Sequence, residues 1–141
     1  MIRTVTVLGF LALATSGCGD DDGNEADAVG IASICTTSAD CPRAPSDAHD
    51  GGVVQLVCLT QFTGGYCGLP DCAVSADCPR GAICVLHDDG ATYCFRECLD
   101  KPECNRNRPV DLEANCSSSF DFNDPADDTG QKACIPPSSG I

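Results

Sequence analysis

Thirteen cysteines in 141 residues constrain this chain more than any other feature. From Cys35 onward, twelve of them form three copies of one four-cysteine plan, and five residues separate the first two cysteines of each copy. The first two copies share a hexapeptide, SADCPR, at residues 38–43 and 75–80. An internal repeat of this kind predicts tandem structural units. We place the three cysteine modules at residues 35–70, 71–97 and 98–136.

The composition leaves little material for an ordinary hydrophobic core. The chain has no Trp, and aromatic residues make up only 5% of it. Units shorter than about 40 residues usually need disulfides or metals, because they bury too little surface. Cysteine above about 8% in a short chain is typical of a secreted disulfide scaffold. We therefore predict a small disulfide-rich fold of three tandem four-cysteine modules with short β-hairpins, little regular secondary structure and no large core.

The second half of each module has the pattern of a β-hairpin. In the second module, β-prone runs at 82–86 and 91–95 flank an Asp-Gly pair, which is typical of a tight hairpin turn. The corresponding runs of the first module are 53–60 and 65–67. The third module is looser, with a long polar loop at 117–130 before its last run.

Four cysteines permit three connectivities within a module, and their spacing does not choose among them. We predict first-to-third and second-to-fourth pairing, because this arrangement clips the leading loop across the hairpin and is common in small crossed-disulfide modules. The predicted disulfides are Cys35–Cys58, Cys41–Cys67, Cys72–Cys84, Cys78–Cys94, Cys98–Cys116 and Cys104–Cys134.

The SADCPR hexapeptide has a structural interpretation. Ser and Asp side chains bind nearby backbone amides and so favour tight turns. The Pro biases the preceding Cys toward an extended conformation. Asp40 and Arg43 are close enough in sequence to form an ion pair, as are Asp77 and Arg80, and an exposed pair of this kind contributes about 0–1 kcal/mol.

Residues 1–18 have the pattern of an export signal. Arg3 precedes an apolar run at 5–14, and small residues follow it. The run is too short for a transmembrane helix, which needs about 20 residues. The end of the signal, LATSGC, resembles the lipobox of bacterial lipoproteins, a resemblance that implies lipid attachment to Cys18. Setting Cys18 aside also leaves an even number of cysteines for pairing. Ordinary signal cleavage, with Cys18 left as a free thiol, is the alternative.

Residues 19–34 are predicted to be an acidic, disordered tether, because their start is small, charged and without apolar periodicity. A calcium loop beginning at Asp20 is the alternative, with Asp21, Asp22 and Asn24 nearby. That pattern requires Gly at its sixth position, where this chain has Glu25. At the other end, residues 137–141 are predicted to be a frayed tail.

The second module carries the pattern Cys-x5-Cys-Pro-x-Gly-x2-Cys, with Cys72, Cys78, Pro79, Gly81 and Cys84. This pattern resembles modules of myxobacterial-type lipoproteins and is similar to the N-terminal cysteine-rich region of Dickkopf proteins. The resemblance implies a disulfide-stapled module outside the cytoplasm. It carries over no functional residue, because the shared positions are structural.

The sequence argues against several kinds of chemistry. A net charge of −13 with only eight basic residues disfavours nucleic-acid binding. Zinc sites usually contain Cys-x2–4-Cys pairs with a short spacing inside one unit, a pattern that the modules lack. His87 lies beside Asp88 and Asp89, a combination suited to acid-base or metal chemistry, but no nucleophile motif accompanies it. We expect His87 and His49 to be solvated loop residues, and we predict no enzyme activity, catalytic residue, metal or cofactor.

These observations predict an exported protein at the outer membrane or cell surface, held in the membrane by lipid at Cys18. A secreted or periplasmic location is the alternative. Gly19 after the lipid site disfavours retention in the inner membrane. The predicted function is that of a structural or binding module for a protein or glycan partner. The alternative is a secreted protease inhibitor that uses the loop at 43–52 or the loop after Cys116. Partner contacts are expected where the modules depart from the second one, at 43–57 and 117–130.

Overall fold

The structure, a computed structural model, describes residues 30–138. The predicted export signal, the lipid site at Cys18, most of the tether and residues 139–141 lie outside this part. The described residues contain one turn of α-helix, α1 (Lys101–Cys104), and nine short strands. The strands are β1 (Arg43–Pro45), β2 (Val53–Gln55), β3 (Val57–Cys58), β4 (Cys67–Pro70), β5 (Ala82–Leu86), β6 (Thr92–Cys98), β7 (Asn115–Ser117), β8 (Asp121–Phe122) and β9 (Lys132–Ile135).

Strand β6 lies at the centre of one antiparallel sheet that all three modules share. It pairs with β5 along the whole length of that strand, which forms the hairpin predicted for the second module. Its other edge pairs with β4 of the first module and then with β9 of the third. The sheet order is β3-β4-β6-β5-β8, and β7 joins through β9. Strands β1 and β2 form a separate hairpin. The modules are therefore parts of one continuous framework.

All six disulfides join the first cysteine of a module to its third and the second to its fourth. The Cα–Cα distances are 5.8–6.0 Å for the first kind and 5.3–5.4 Å for the second. The three modules thus repeat one local geometry, and the predicted small disulfide-rich fold is confirmed. The bonded pairs, the same six as predicted, are Cys35–Cys58, Cys41–Cys67, Cys72–Cys84, Cys78–Cys94, Cys98–Cys116 and Cys104–Cys134.

The Asp of each SADCPR hexapeptide caps a 3-10 turn. Asp40 accepts hydrogen bonds from the backbone amides of Thr36 and Thr37, at 2.9 and 2.8 Å. Asp77 repeats this with the two corresponding amides before its own turn. The sequence predicted ion pairs for these carboxylates, whereas the structure assigns them to backbone amides. Arg80 donates to Asp47, at 2.7 Å.

The Ser of each hexapeptide connects the turn to the hairpin. The Oγ atoms of Ser38 and Ser75 accept hydrogen bonds from the amides of Cys58 and Cys84, each at 3.1 Å. These are the third cysteines of their modules, and each forms a disulfide with the first. The hexapeptide therefore connects its turn to the third cysteine, which closes the first disulfide of the module.

Helix α1 takes the place of this turn in the third module. Asp100 caps the helix by accepting a hydrogen bond from the Glu103 amide, at 3.3 Å. The Glu103 carboxylate accepts one from the Leu99 amide, at 2.6 Å. Glu103 precedes the second cysteine as Asp40 and Asp77 do in the other modules. The acid before that cysteine therefore caps the turn in all three modules.

The core is small, and all three modules contribute buried residues to it. Phe62 packs edge-on against Tyr93 and Phe95, with ring centroids 5.2 and 5.5 Å apart. Tyr66 contacts Phe95 in the same way, at 5.2 Å. We call Phe62, Tyr66, Tyr93 and Phe95 the aromatic cluster. A second buried cluster surrounds the disulfides of the first two modules. Few large side chains suffice here, because the cross-links reduce the entropy that burial must offset.

The folded part begins earlier than predicted. Ile31 and Ala32 are buried, although they fall within the predicted tether at 19–34. The Ala32 amide donates to the Cys67 carbonyl, at 3.0 Å. At the other end, the Thr63 amide donates to the Pro137 carbonyl, at 2.9 Å, so the predicted tail is held in place at its first residues. Backbone pairing decides both boundaries, and composition does not reveal it.

Arg108 ties the third module to the first. Its guanidinium is buried and donates to the carbonyls of Ala32, Thr63, Gly65 and Leu112, at 2.6–3.0 Å. The four acceptors belong to three separate stretches of chain. Across residues 30–138, no helix is long and apolar enough to span a bilayer.

Candidate functional site

The side chain of His87 is buried, although the residue as a whole is partly exposed, so the prediction that it is a solvated turn residue is wrong. Its side chain is only 8% exposed. The ring lies 5.2 Å from that of Phe62, 5.9 Å from that of Tyr93 and 6.0 Å from that of Phe95. The β5–β6 turn folds back over the aromatic cluster and carries His87 with it. A turn sequence predicts exposure only where nothing packs beneath the turn.

Asp89 holds this turn in shape. It accepts hydrogen bonds from the Ala91 amide and the Tyr93 hydroxyl, both at 2.9 Å, and lies 3.4 Å from His87 Nδ1. Burial raises the pKa of Asp89, but these partners outweigh it and the pKa is lowered overall. Burial, followed by the hydrogen bond to Asp89, raises the pKa of Tyr93. Asp89 is therefore a structural carboxylate.

A cleft lies between the β5–β6 turn and the loop of the third module. Strand β8 pairs with β5, with Phe122 opposite Val85 and Asp121 opposite Leu86, and this pairing brings the two segments together. The space encloses about 470 Å³. We call it the hairpin cleft. Its lining comprises Leu86, His87, Asp88, Gly90, Ser118, Ser119, Phe120 and Asp121.

The lining of the hairpin cleft is mostly polar, with one aromatic side chain. Asp88 and Asp121 are both exposed in this lining, Asp88 from the second module and Asp121 from the third. Ser118 and Ser119 add hydroxyl groups. Phe120 is partly buried and packs edge-on against Phe122, with centroids 5.2 Å apart. Such a surface can bind a polar ligand through carboxylate, hydroxyl and aromatic contacts.

A smaller cleft beside the β1–β2 hairpin contains the other histidine. His49 is exposed, as expected, and its Nδ1 lies 2.9 Å from the Ser46 hydroxyl. Ser46 is completely buried, so its oxygen cannot reach a substrate. This cleft encloses about 260 Å³, and Asp71 and Asp77 also line it. The Ser-His contact is therefore part of the loop structure and not a nucleophile with its base.

The loop at 43–52 is folded back on itself. Strands β1 and β2 pair on either side of it, and Asp50–Gly52 forms a 3-10 turn. The Ser46 amide donates to the Gly52 carbonyl, at 3.0 Å. A substrate-mimicking inhibitor loop needs an extended, unpaired backbone to enter a protease. Neither this loop nor 117–130, with its paired strand β8 and its turn at Pro125–Asp127, has that form.

The distances between potential ligand atoms show which residues could hold a metal ion together. Within residues 30–138, the groups of three Cys, His, Asp or Glu whose ligand atoms lie within 4.8 Å of one another are all cysteine groups. Every cysteine in these groups is in a disulfide, which leaves no thiolate to bind a metal. The acids and histidine of the hairpin cleft do not form such a group.

The fold and its cross-links define a small, cysteine-rich protein built from tandem disulfide modules. Six disulfides indicate an exported protein, because reducing compartments do not maintain them. Comparisons with protein-family models, curated proteins and solved structures find no match to this chain.

The two segments where partner contacts are expected, 43–57 and 117–130, line different clefts. The 117–130 segment supplies half of the hairpin cleft, and 43–57 supplies His49 and Ala48 to the smaller one. The sequence did not indicate that Asp88 and Asp121 would share a cleft, because 32 residues separate them. The pairing of β5 with β8 is what brings them together.

Proposed function

We propose that this protein is an exported cell-envelope protein, anchored by lipid at Cys18, which acts as a disulfide-stapled binding module for a protein or glycan partner. The location at the outer membrane or cell surface rests on the lipobox resemblance and on Gly19 after it. The structure describes the chain from residue 30, and eleven residues lie between that point and Cys18. A chain of that length spans at most about 35–40 Å. The module would stay close to the membrane surface.

One observation carries the binding role. Two segments distinguish the first and third modules from the second, 43–57 and 117–130, and both are folded against the rest of the protein. Loop 117–130 is held by the β5–β8 pairing and by the Asp127 carboxylate, which accepts from the Ser75 amide, at 2.6 Å. The 43–52 loop is held by the Arg80–Asp47 ion pair. Ordered loops of this kind bind partners at a lower entropic cost.

Affinity capture from an envelope extract tests the binding role. The oxidised protein is immobilised, and bound proteins and glycans are identified by mass spectrometry. The reduced and alkylated protein is the control, because it has the same composition and charged side chains without the folded loops. Capture by the oxidised form only is expected. Identical sets of bound molecules for the two forms would reject a role for the folded loops.

Mass spectrometry of the mature N-terminus tests the anchor. A diacylated or triacylated Cys18 at the first position is expected, and Cys18→Ser should release the protein from the membrane fraction. An unmodified N-terminus downstream of Cys18 would contradict the anchor and leave the binding role untouched.

A further inference from the structure

Asp88 and Asp121 differ from most carboxylates of this protein, because neither has a polar partner among residues 30–138. Residues 30–138 contain sixteen acidic residues. Ten of them accept hydrogen bonds or form ion pairs, and they are Asp40, Asp47, Asp77, Asp89, Asp100, Glu103, Glu113, Asp124, Asp127 and Asp128. Asp88 and Asp121 have no such structural role, yet both line the hairpin cleft.

Of the described residues, no Lys or Arg lines the hairpin cleft. The two segments that form it, 81–95 and 109–131, contain no Lys or Arg. Arg96 and Arg108 are buried elsewhere in the fold, and Arg80 and Lys101 form ion pairs with carboxylates outside the cleft. A concave surface lined by one sign of charge concentrates the field and attracts ligands of the opposite sign.

The shape of the cleft selects among cations. His87, Asp88 and Asp121 do not bring three ligand atoms within 4.8 Å, so the cleft does not suit a small metal ion. Its volume of about 470 Å³ admits a whole side chain. A guanidinium or ammonium group donates hydrogen bonds to acceptors that are farther apart, such as two carboxylates and the hydroxyls of Ser118 and Ser119.

The remaining walls suit the same ligand. Phe120 presents aromatic surface on which an Arg or Lys head group can stack. The His87 side chain, which is 8% exposed, lines the cleft, and its Nε2 atom makes no hydrogen bond with residues 30–138. A buried ring with one unoccupied nitrogen gives the cleft a further polar contact for a bound group.

We infer that the hairpin cleft binds an Arg or Lys side chain of a protein partner, through Asp88 and Asp121. This inference rests on the proposed function and specifies its partner: a protein segment with an exposed basic residue. Asp88 comes from the second module and Asp121 from the third, so the site exists only in the folded protein. The affinity for one basic side chain is low, on the order of millimolar, because both carboxylates are exposed.

NMR titration of the oxidised, isotope-labelled protein tests the inference. The probe is a short Gly-flanked Arg peptide with blocked ends, and its matched control carries citrulline, which has nearly the same shape without the charge. The Arg peptide should shift the amide signals of Asp88, Gly90, Ser119 and Asp121. The citrulline peptide should leave them in place. Equal shifts with both peptides, shifts confined to other parts of the protein, or no shifts would overturn the inference.

Matched variants locate the binding charge. Asp88→Asn and Asp121→Asn should each weaken binding of the Arg peptide by about two- to fivefold, the range expected for a single exposed ion pair. Asp111→Asn is the control, because Asp111 is exposed, lies outside the cleft and has no polar partner among the described residues. An Asp111→Asn effect as large as the other two would show general attraction to an acidic surface and reject the site.

The envelope capture separates this inference from the proposed function. A partner that binds the wild-type protein but is lost with the Asp88→Asn/Asp121→Asn double variant supports both. A partner retained by the double variant leaves the binding role standing and contradicts the cleft as its site. Because neither carboxylate has a structural partner, the variants are expected to keep the wild-type spectrum outside the cleft, which verifies their folding.

Discussion

Replacing Arg108 by Met is the sharpest test of how the modules are held together. The buried guanidinium donates to four backbone carbonyls, those of Ala32, Thr63, Gly65 and Leu112. These carbonyls belong to the N-terminal segment, the turn of the first module and the third module. Met has a similar length and apolar character along the stem, but it offers no donor. The substitution therefore removes the connection and leaves a space where the three terminal atoms of the guanidinium were.

The expected loss of stability follows from the hydrogen-bond count. A buried acceptor left without a partner costs about 1–3 kcal/mol, so four of them would cost roughly 4–12 kcal/mol. Removing the buried charge also removes its desolvation cost, which is several kcal/mol. With about 8 kcal/mol for the four acceptors, the middle of that range, and about 5 kcal/mol for the desolvation, the net destabilisation is about 3 kcal/mol. A domain of ordinary stability, about 5–15 kcal/mol, would lose a large fraction of it.

Guanidinium chloride unfolding of the oxidised protein, followed by circular dichroism, measures this effect. Arg43→Met is the control, because Arg43 is exposed on β1 and should change stability by no more than about 0.5 kcal/mol. Arg108→Lys keeps the charge with fewer donors and should fall between wild type and Arg108→Met. Non-reducing peptide mapping verifies that the disulfides are unchanged. An Arg108→Met protein within about 1 kcal/mol of Arg43→Met would refute the reasoning.

Three further predictions concern the turns and the titrating groups. Gly65 and Gly90 both have positive φ, but a Cβ on Gly65 would lie 2.1 Å from a backbone oxygen, whereas Gly90 faces open space. Gly65→Ala should therefore reduce the yield of fully oxidised protein far more than Gly90→Ala, and equal yields would contradict the close packing. Burial raises the pKa of Tyr66 and Tyr93 above 10.0, so the stability they contribute is complete below pH 10.0 and is lost as pH rises through the raised values. The native protein should show less phenolate absorbance near pH 10.0 than the reduced, unfolded chain; equal absorbance would contradict their burial. Hydrogen bonds from backbone amides lower the pKa of Asp40 below 3.8, so its contribution is present above that pH and is lost as pH falls through the lowered value. Asp40→Asn should make the melting temperature less sensitive to acid there, and an unchanged dependence on pH would contradict the capping role.

The disulfide framework was accessible from the sequence because it is local. Each module contains its own four cysteines, and the bonded pairs are separated by 12–30 residues. The 82–86 run and the Asp-Gly turn that follows it can likewise be recognised from their own residues. Strand β5 spans the predicted residues. Turn chemistry and cysteine spacing act over a few residues, so a repeat reveals them.

Only part of the candidate site could be predicted from the sequence. Comparison of the modules pointed to 117–130, which does line the hairpin cleft. The turn at 87–90 has the composition of a solvated turn, and this composition gives no sign of the aromatic cluster beneath it. Phe62, which contacts His87, comes from another module and has no pattern in sequence that links the two residues. Strands of two to four residues, such as β4 and β8, are too short for apolar alternation to specify their partners.

The sequence by itself determined the repeat, the grouping of four cysteines in each module and the turns, because spacing and side-chain chemistry act within each module. Tertiary structure decided everything that depends on contact between modules. The β4–β6, β5–β8 and β6–β9 pairings place His87 over the aromatic cluster and bring Asp88 and Asp121 into one cleft. They also bring Arg108 to the carbonyls it binds. Those pairings rest on backbone hydrogen bonds and on a small shared core, and neither leaves a periodic pattern in the chain.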